Sequence, residues 1–192
     1  MTTTNPKVSV IIPTYERDSR FLIRAVTSVQ NQTYENIEII VVDDNHPNSE
    51  YRSANRKLMQ CFQQDSRVLY IQNTDNLGGA LARNEGIKVS TGDFITFLDD
   101  DDEYLPEKIS KQVTFMMAEK CHLSFTDLML LNEENKVVDY REHKDLKSLD
   151  NNTLLKHHIM RHLTGTPTFM FKANKLKEIG GFEDVPMGQE FY

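Results

Sequence analysis

The chain has 192 residues, of which 39% are hydrophobic and 27% are charged, and its formal net charge is −7. This composition excludes a disordered chain, and the acidic balance argues against a nucleic-acid partner because no basic stripe is present to neutralise a phosphate backbone. The length suits one domain with a sizeable buried core, so residues 1–192 are predicted to form a single unit.

No apolar run reaches the ~20 residues of a membrane-spanning helix, and the polar stretch 1–7 has no signal-peptide core. The sequence therefore predicts a cytoplasmic protein without a transmembrane segment. Cys61 and Cys121 are too few for a disulfide framework or a zinc site. Each is expected to be a small buried apolar residue.

The first 120 residues alternate between short apolar strands and segments with helical spacing. The predicted strands are 8–12, 37–42, 67–71 and 93–98. The predicted helices are 18–32, 50–64, 80–89 and a fourth that Pro106 opens and that runs to about 120. Because these strands are apolar throughout, they predict a doubly wound parallel sheet with helices on both faces.

The pattern changes after residue 120. A strand pair, 124–131 and 136–140, is predicted around the turn at 132–135, followed by a helix at 150–162, a strand at 168–172 and a short helix at 173–179. This part is expected to pack on the same sheet as a small β/α extension. Since a new helix begins just before Tyr192, the sequence also predicts that the chain is a piece of a longer protein.

Two of the early strands end in consecutive carboxylates, Asp43-Asp44 and the four aspartates 99–102. Ligands of open parallel sheets bind outside the carboxyl ends of the strands, although turn formation or solvated loop acids would also account for aspartates there. Adjacent carboxylates repel one another, and no basic residue follows locally before Lys108. A divalent cation, Mn²⁺ or Mg²⁺, would relieve that repulsion and leave positions open for phosphate oxygens.

A glycine pair, Gly78-Gly79, precedes the third predicted helix. Helix N-termini attract anions, but neither the dinucleotide fingerprint nor the P-loop pattern is present. Arg83 lies one turn into this helix, where it is either a phosphate or base contact or an ordinary surface arginine.

Together these segments resemble the family 2 glycosyltransferases with the GT-A fold. The matching stretches are 8–15 (VSVIIPTY), Ser28, Gln32-Thr33, 40–44 (IVVDD), 76–78 (NLG), 82–84 (ARN) with Gly86, 97–102 (FLDDDD) and 180–182 (GGF). The resemblance implies a Rossmann-like, mostly parallel sheet. It also implies an inverting, metal-dependent enzyme that transfers a sugar from a nucleoside diphosphate, UDP by preference, to an acceptor hydroxyl in cell-surface polysaccharide assembly.

The resemblance also assigns roles to single positions. Residues 1–120 would bind the nucleotide-sugar donor, and residues 121–192 would form an acceptor-side half, truncated at its C-terminus. Asp101 would be the direct metal ligand. The predicted nucleotide contacts are Pro13, Thr14 and Tyr15 at the base, Asp44 at the uracil ring, Arg83, and Asp99 and Asp100 at the ribose or behind the metal.

The general base implied by the resemblance is the acid at the start of the helix after Gly-Gly-Phe. Glu190 fits that position best, with Asp184 as the alternative. Two departures from the family pattern concern the nucleotide contacts: Glu16 stands where asparagine is commoner, and Asn45-His46-Pro47 replaces Gly-Ser-Thr. The implied acceptor is a glycan or a lipid-linked sugar, with peripheral association at the inner membrane face.

Two other classes of function remain open from the sequence. A sugar-phosphate nucleotidyltransferase also uses a doubly wound sheet and metal-binding aspartates, but it normally begins with a glycine-rich loop carrying arginine and lysine, and this chain has 12–16 (IPTYE) instead. A non-catalytic module, either a nucleotide-sugar binder or an acid-pocket receiver domain, is the second. The receiver domain would need a lysine that closes the acid pocket, and Lys172 lacks the matching pattern around it.

Overall fold

The computed structural model describes residues 5–143, 150–161 and 165–185. The strands are β1 (Val8–Thr14), β2 (Ile37–Asp43), β3 (Val68–Gln72), β4 (Phe94–Phe97), β5 (Leu123–Ser124), β6 (Leu128–Leu131), β7 (Val137–Arg141) and β8 (Met170–Lys172). The helices are α1 (Ser19–Gln30), α2 (Glu50–Met59), α3 (Gly79–Val89), α4 (Lys108–Glu119), α5 (Asn151–Arg161) and α6 (Ala173–Glu178). Short 3₁₀ turns occupy Gln60–Phe62 and Thr166–Thr168.

The main sheet has the strand order β3-β2-β1-β4-β8-β5. β1 pairs in parallel with β2 and β4, and β2 pairs in parallel with β3. β8 runs antiparallel to both β4 and β5. The mostly parallel α/β sheet predicted from the sequence is therefore confirmed, and part of the chain after residue 120 does join it. β6 and β7 form a separate antiparallel pair beside it.

The strand order contains a switch in direction at β1. The chain adds β2 and then β3 on one side of β1, and then crosses back through α3 to add β4 on the other side. The ends of β1 and β4 therefore lie side by side, with α1 and α4 on one face of the sheet and α3 on the other. Such a switch point is where open α/β sheets bind their ligands.

Both faces of the sheet are covered, because side chains of β1 alternate between two apolar clusters. Val10 and Ile12 belong to the cluster that contains residues of α1 and α4, and Ile11 belongs to the cluster beneath α3 and α6. A Cβ atom on Gly86 would lie 2.5 Å from Ile11 Cγ2. A glycine at this position therefore allows α3 to pack closely on the sheet.

Two local expectations are wrong. α4 begins at Lys108 with Glu107 as its N-cap, so Pro106 precedes the helix and does not open it. The Pro106 carbonyl instead accepts a hydrogen bond from the Thr33 amide, at 2.9 Å. Cys61 is exposed and Cys121 is half-buried. Cys61 lies outward because α2 ends at Met59, earlier than predicted, and the chain turns through Gln60–Phe62 at the surface.

Within the described ranges, none of the helices combines the length and apolar character needed to cross a bilayer.

Candidate active site

A cavity of about 580 Å³ opens at the carboxyl edge of the sheet, over the switch point. It is lined by Pro13, Thr14, Tyr15, Arg17, Asp44, Asn76, Gly78, Gly79, Ala82, Arg83, Asp99, Asp100 and Asp101. The structure thus brings together every nucleotide or metal candidate selected from the sequence. It adds Arg17, which the sequence reasoning missed.

The carboxylate of Asp44 is held by the loop that leads into α3. It accepts hydrogen bonds from Asn73 Nδ2 at 2.7 Å, from the Leu77 amide at 3.0 and 3.1 Å, and from the Gly78 amide at 2.9 Å. Both oxygens are therefore engaged, and Asp44 fixes one wall of the cavity. Gly78 can complete this turn because it adopts φ +82°, a conformation that costs glycine little.

Asp43, beside it, points away from the cavity into a buried ion pair. Arg52 Nε lies 3.1 Å from Asp43 Oδ1, and Arg52 Nη2 donates to the carbonyl oxygen of Asn73 at 2.8 Å. The Tyr70 hydroxyl donates to the other carboxylate oxygen of Asp43. Arg52 thereby ties the end of β2 to the loop that holds Asp44. No sequence pattern identifies Arg52, which looks like an ordinary polar residue of α2.

The aspartates after β4 face the end of β1. Thr14 Oγ1 donates to Asp100 Oδ2 at 2.6 Å, and Arg17 Nε donates to Asp100 Oδ1 at 3.3 Å. Arg17 Nη2 also lies 3.0 Å from Asp101 Oδ2. Burial raises the pKa of Asp100, while Thr14 and Arg17 act in the opposite direction.

A second arginine pairs with the first aspartate of the run. Arg83 Nη2 lies 2.6 Å from Asp99 Oδ1. The local sequence offers the four aspartates no basic partner before Lys108, but the fold brings Arg17 and Arg83 to them. Asp102 is half-buried, and burial and the neighbouring aspartates raise its pKa to about 6.

The Gly-Gly-Phe segment packs beside Arg83, which lines the cavity. Phe182 packs edge-on against Phe97, with ring centroids 5.0 Å apart, and Arg83 Cζ lies 5.9 Å from the centre of the Phe182 ring. Asp184, two residues further on, is exposed. Glu190, the preferred candidate for the general base, lies outside the described residues.

The side chains of the cavity can be compared with those that usually bind a divalent cation. In the described part of the chain, no three His, Cys, Asp or Glu side chains are grouped as a metal cage. Mg²⁺ and Mn²⁺ are bound at many phosphate sites by only one or two carboxylates together with phosphate oxygens. Asp100 and Asp101 already share one cation, the Arg17 guanidinium, at the cavity wall. Their carboxylates thus suit a metal that a diphosphate helps to hold.

The doubly wound sheet with its antiparallel strand β8, and the acids and arginines gathered at its switch point, define an α/β domain of the GT-A type. The sequence model described as Glycosyl transferase family 2 matches residues 9–178. The chain belongs to this family.

Two relatives place the chain within the family. It is 29% identical over 187 residues to an uncharacterized glycosyltransferase, MJ1057, of Methanocaldococcus jannaschii, covering 97% of this chain and 62% of the relative. It is 34% identical over 166 residues to TuaG of Bacillus subtilis, a proposed teichuronic acid biosynthesis glycosyltransferase, covering 85% of this chain and 63% of TuaG. The chain therefore spans less than two thirds of the length of these relatives.

Solved structures share the fold. TarS residues 1–349 from S. aureus in complex with UDP-GlcNAc matches with a TM-score of 0.73 and 20% identity, over 96% of this chain and 51% of TarS. The mannosyltransferase PcManGT from Pyrobaculum calidifontis, in complex with GDP-Man and Mn²⁺, matches with a TM-score of 0.67 and 20% identity, over 95% and 49% of the two chains.

Proposed function

We propose that this chain is the donor-binding part of an inverting, metal-dependent glycosyltransferase that uses a UDP-sugar. The observation that carries the proposal is the convergence of Asp44, Arg83 and the aspartates 99–101 on one cavity at the switch point of the sheet. Membership in glycosyl transferase family 2 favours sugar transfer over the nucleotidyltransferase alternative.

The base and ribose of the nucleotide would lie along the end of β1. Tyr15 is half exposed at the cavity mouth and offers an aromatic face, while Pro13 and Thr14 form the floor. Asp44 is proposed to contact the uracil ring through the edge of its anchored carboxylate. The proposed ribose contacts are Asp99 and Asp100. The UDP-GlcNAc complex of TarS supports a nucleotide-sugar donor, and the resemblance of the sequence to the family favours uridine as its base.

Mn²⁺ or Mg²⁺ would be held by Asp101, with Asp100 behind it. When bound, such a cation stabilises the negative charge of the leaving diphosphate. Arg83 supplies a fixed positive charge at the same cavity, because its pairing with Asp99 and its contact with Phe182 hold the guanidinium in place. The Mn²⁺ complex of PcManGT supports the metal.

Inversion requires a base on the acceptor side of the sugar. The acceptor oxygen would bond to the anomeric carbon as the bond to the diphosphate oxygen breaks, and a carboxylate would take the hydroxyl proton. We propose Glu190 for this role, with Asp184 as the alternative. In both cases the base follows the Gly-Gly-Phe segment, which packs beside Arg83.

We propose that residues 1–120 bind the donor and that residues 121–192 face the acceptor, as predicted from the sequence. The acceptor would be a glycan or a lipid-linked sugar used in cell-surface polysaccharide assembly. We place the reaction in the cytoplasm or at the inner membrane face. The proposed place of TuaG in teichuronic acid biosynthesis supports this assignment.

Thermal unfolding with UDP, in the presence and absence of Mn²⁺, tests the ligand assignment. We expect UDP to raise the melting temperature only when Mn²⁺ is present, and the Asp101→Ala variant to lose this increase. Asp127→Ala, an exposed aspartate after β5 and outside the cavity, is the matched control. Stabilisation by UDP that is indifferent to metal and to Asp101 would exclude the proposed site.

Transfer or slow hydrolysis of a UDP-sugar separates an enzyme from a nucleotide-sugar binder. Glu190→Gln is expected to lose at least 100-fold in kcat, in line with the usual size of general-base catalysis, while it keeps UDP binding. Asp184→Asn should retain activity if Glu190 is the base. Loss of activity in Asp184→Asn alone would transfer the role to Asp184. Donor binding without turnover by the unaltered protein would favour the binder.

A further inference from the structure

We infer that Arg17 is an internal counter-cation of the acidic cluster and that it competes with a divalent metal for Asp100 and Asp101. Arg17 would thereby set the metal affinity of the site. The inference rests on the proposed function, because it concerns the same two carboxylates.

The geometry places a single guanidinium between the two carboxylates. Arg17 Nε donates to Asp100 at 3.3 Å, and Nη2 lies 3.0 Å from Asp101. The two ion pairs join residues that are 83 and 84 positions apart, so they depend on the packing of β1 against β4. Arg17 is therefore bound to the pair of acids that the proposed function assigns to the metal.

The ion pair with Asp101 is accessible and can be exchanged. The Arg17 side chain is 43% exposed and the Asp101 side chain is 39% exposed, whereas that of Asp100 is 8% exposed. An ion pair in this position contributes little free energy, because water and salt screen it. Arg17 also has a second partner for its cation, since its Cζ lies 5.9 Å from the centre of the Phe21 ring.

Competition follows from the charge. A metal bound to Asp101 would place a divalent cation about as close to the guanidinium as the carboxylate is, and two cations at that separation repel. Metal binding must therefore displace Arg17, and the free energy of the lost ion pairs lowers the apparent metal affinity. Asp99 is affected less, because its arginine partner is Arg83 and not Arg17.

Binding of Mn²⁺ alone, measured by calorimetry or by the loss of the free-ion electron paramagnetic resonance signal, tests the inference without turnover. We expect Arg17→Met to bind Mn²⁺ about three- to tenfold more tightly than the unaltered protein, the factor expected when exposed ion pairs no longer compete. Arg17→Lys keeps the positive charge but not the guanidinium that contacts both carboxylates. Its Mn²⁺ affinity should therefore lie between those of the unaltered protein and Arg17→Met.

Arg24→Met is the matched control. Arg24 is 48% exposed, its Cζ also lies 6.0 Å from the Phe21 ring, and it pairs with Glu103, outside the cavity. Its loss changes the net charge by the same amount, so its effect on Mn²⁺ affinity should stay below about twofold. Equal increases in Mn²⁺ affinity in both variants would show that net charge alone causes the effect, and would overturn the inference.

The remaining outcomes separate this inference from the proposed function. If Mn²⁺ binds in a manner that requires Asp101, but Arg17→Met binds it equally or more weakly, Arg17 does not compete and only this inference fails. If neither the unaltered protein nor Arg17→Met binds Mn²⁺ through Asp101, with or without UDP, the proposed metal site fails as well. Circular dichroism of each variant verifies that all of them are folded.

Discussion

Asn84 holds both backbone polar groups of Phe182. Its side-chain oxygen accepts from the Phe182 amide at 2.9 Å, and its Nδ2 donates to the Phe182 carbonyl oxygen at 2.8 Å. Asn84 follows Arg83 on α3, and the Phe182 ring packs against Arg83. The helix that lines the cavity therefore also fixes the segment that leads to both candidate bases.

The two hydrogen bonds between Asn84 and Phe182, here called the clamp, make the two glycines before Phe182 differ in their tolerance of a side chain. Gly180 and Gly181 have φ values of +89° and +82°, but a Cβ atom on Gly180 would meet open space, whereas one on Gly181 would overlap Asn84 Oδ1. We expect Gly180→Ala to destabilise the protein by about 1 kcal/mol through backbone strain alone. Gly181→Ala should cost about 3 kcal/mol, because the clamp must also shift. Urea unfolding of both variants measures the difference. Equal losses of unfolding free energy would show that the Asn84 side chain moves aside at no cost in stability.

Asp44→Asn should damage the loop that it anchors. An amide in place of the carboxylate cannot accept all the hydrogen bonds from Asn73, Leu77 and Gly78, so at least one donor loses its partner. We expect a loss of about 2 kcal/mol in the free energy of unfolding. Asp75→Asn makes the same change at an exposed position of the same loop and should stay within ~0.5 kcal/mol of the unaltered protein. A comparable loss of unfolding free energy in Asp75→Asn would mean that the charge of the loop, and not the hydrogen bonds to Asp44, causes the effect.

Arg52→Met should be among the most destabilising single changes in α2. It leaves the buried carboxylate of Asp43 without its cation and the carbonyl oxygen of Asn73 without a donor. Breaking a buried ion pair in this way costs about 3–5 kcal/mol. Arg56→Met, one turn further along the same helix and exposed, provides the comparison and should change stability by less than ~0.5 kcal/mol. Denaturant titration of the two variants gives the values, and similar losses would argue against the ion pair as the cause.

The carboxylate of Glu38 makes stability depend on pH. Burial acts to raise its pKa, but hydrogen bonds from Lys7, Ser9 and Thr91 outweigh burial and lower the pKa from 4.5 to about 2. The stabilisation is therefore complete above pH 4.5 and is lost as the pH falls towards 2. Because Lys7 is partly exposed, solvent screening reduces the contribution to about 1–2 kcal/mol.

Glu38→Gln tests this pH dependence. The difference in unfolding free energy between the variant and the unaltered protein should be largest near pH 7 and should shrink as the pH falls from 4.5 to 2. Glu35→Gln, at an exposed position before β2, serves as the control and should show a smaller and flatter difference. A difference for Glu38→Gln that does not change with pH would mean that its charge is not responsible.

Much of the fold was predictable because its signals are local. The apolar runs of β1, β2 and β4 identify buried strands whatever the rest of the chain does, and the aspartates that follow β2 and β4 must lie at the edge where parallel strands end. The start of α4 was misplaced for the opposite reason. The Pro106 carbonyl is bound by Thr33, a residue distant in sequence that no local pattern identifies.

The amino-acid sequence by itself determined the strand alternation, the acidic edge and the resemblance to family 2 glycosyltransferases. Only the tertiary structure decided which cations meet those acids: Arg17 reaches Asp100 across 83 positions, Arg83 reaches Asp99 across 16, and Arg52 is buried against Asp43. The physical reason is that strand and helix patterns depend on neighbours along the chain, whereas an ion pair depends on a separation of about 3 Å that the packing of distant elements creates.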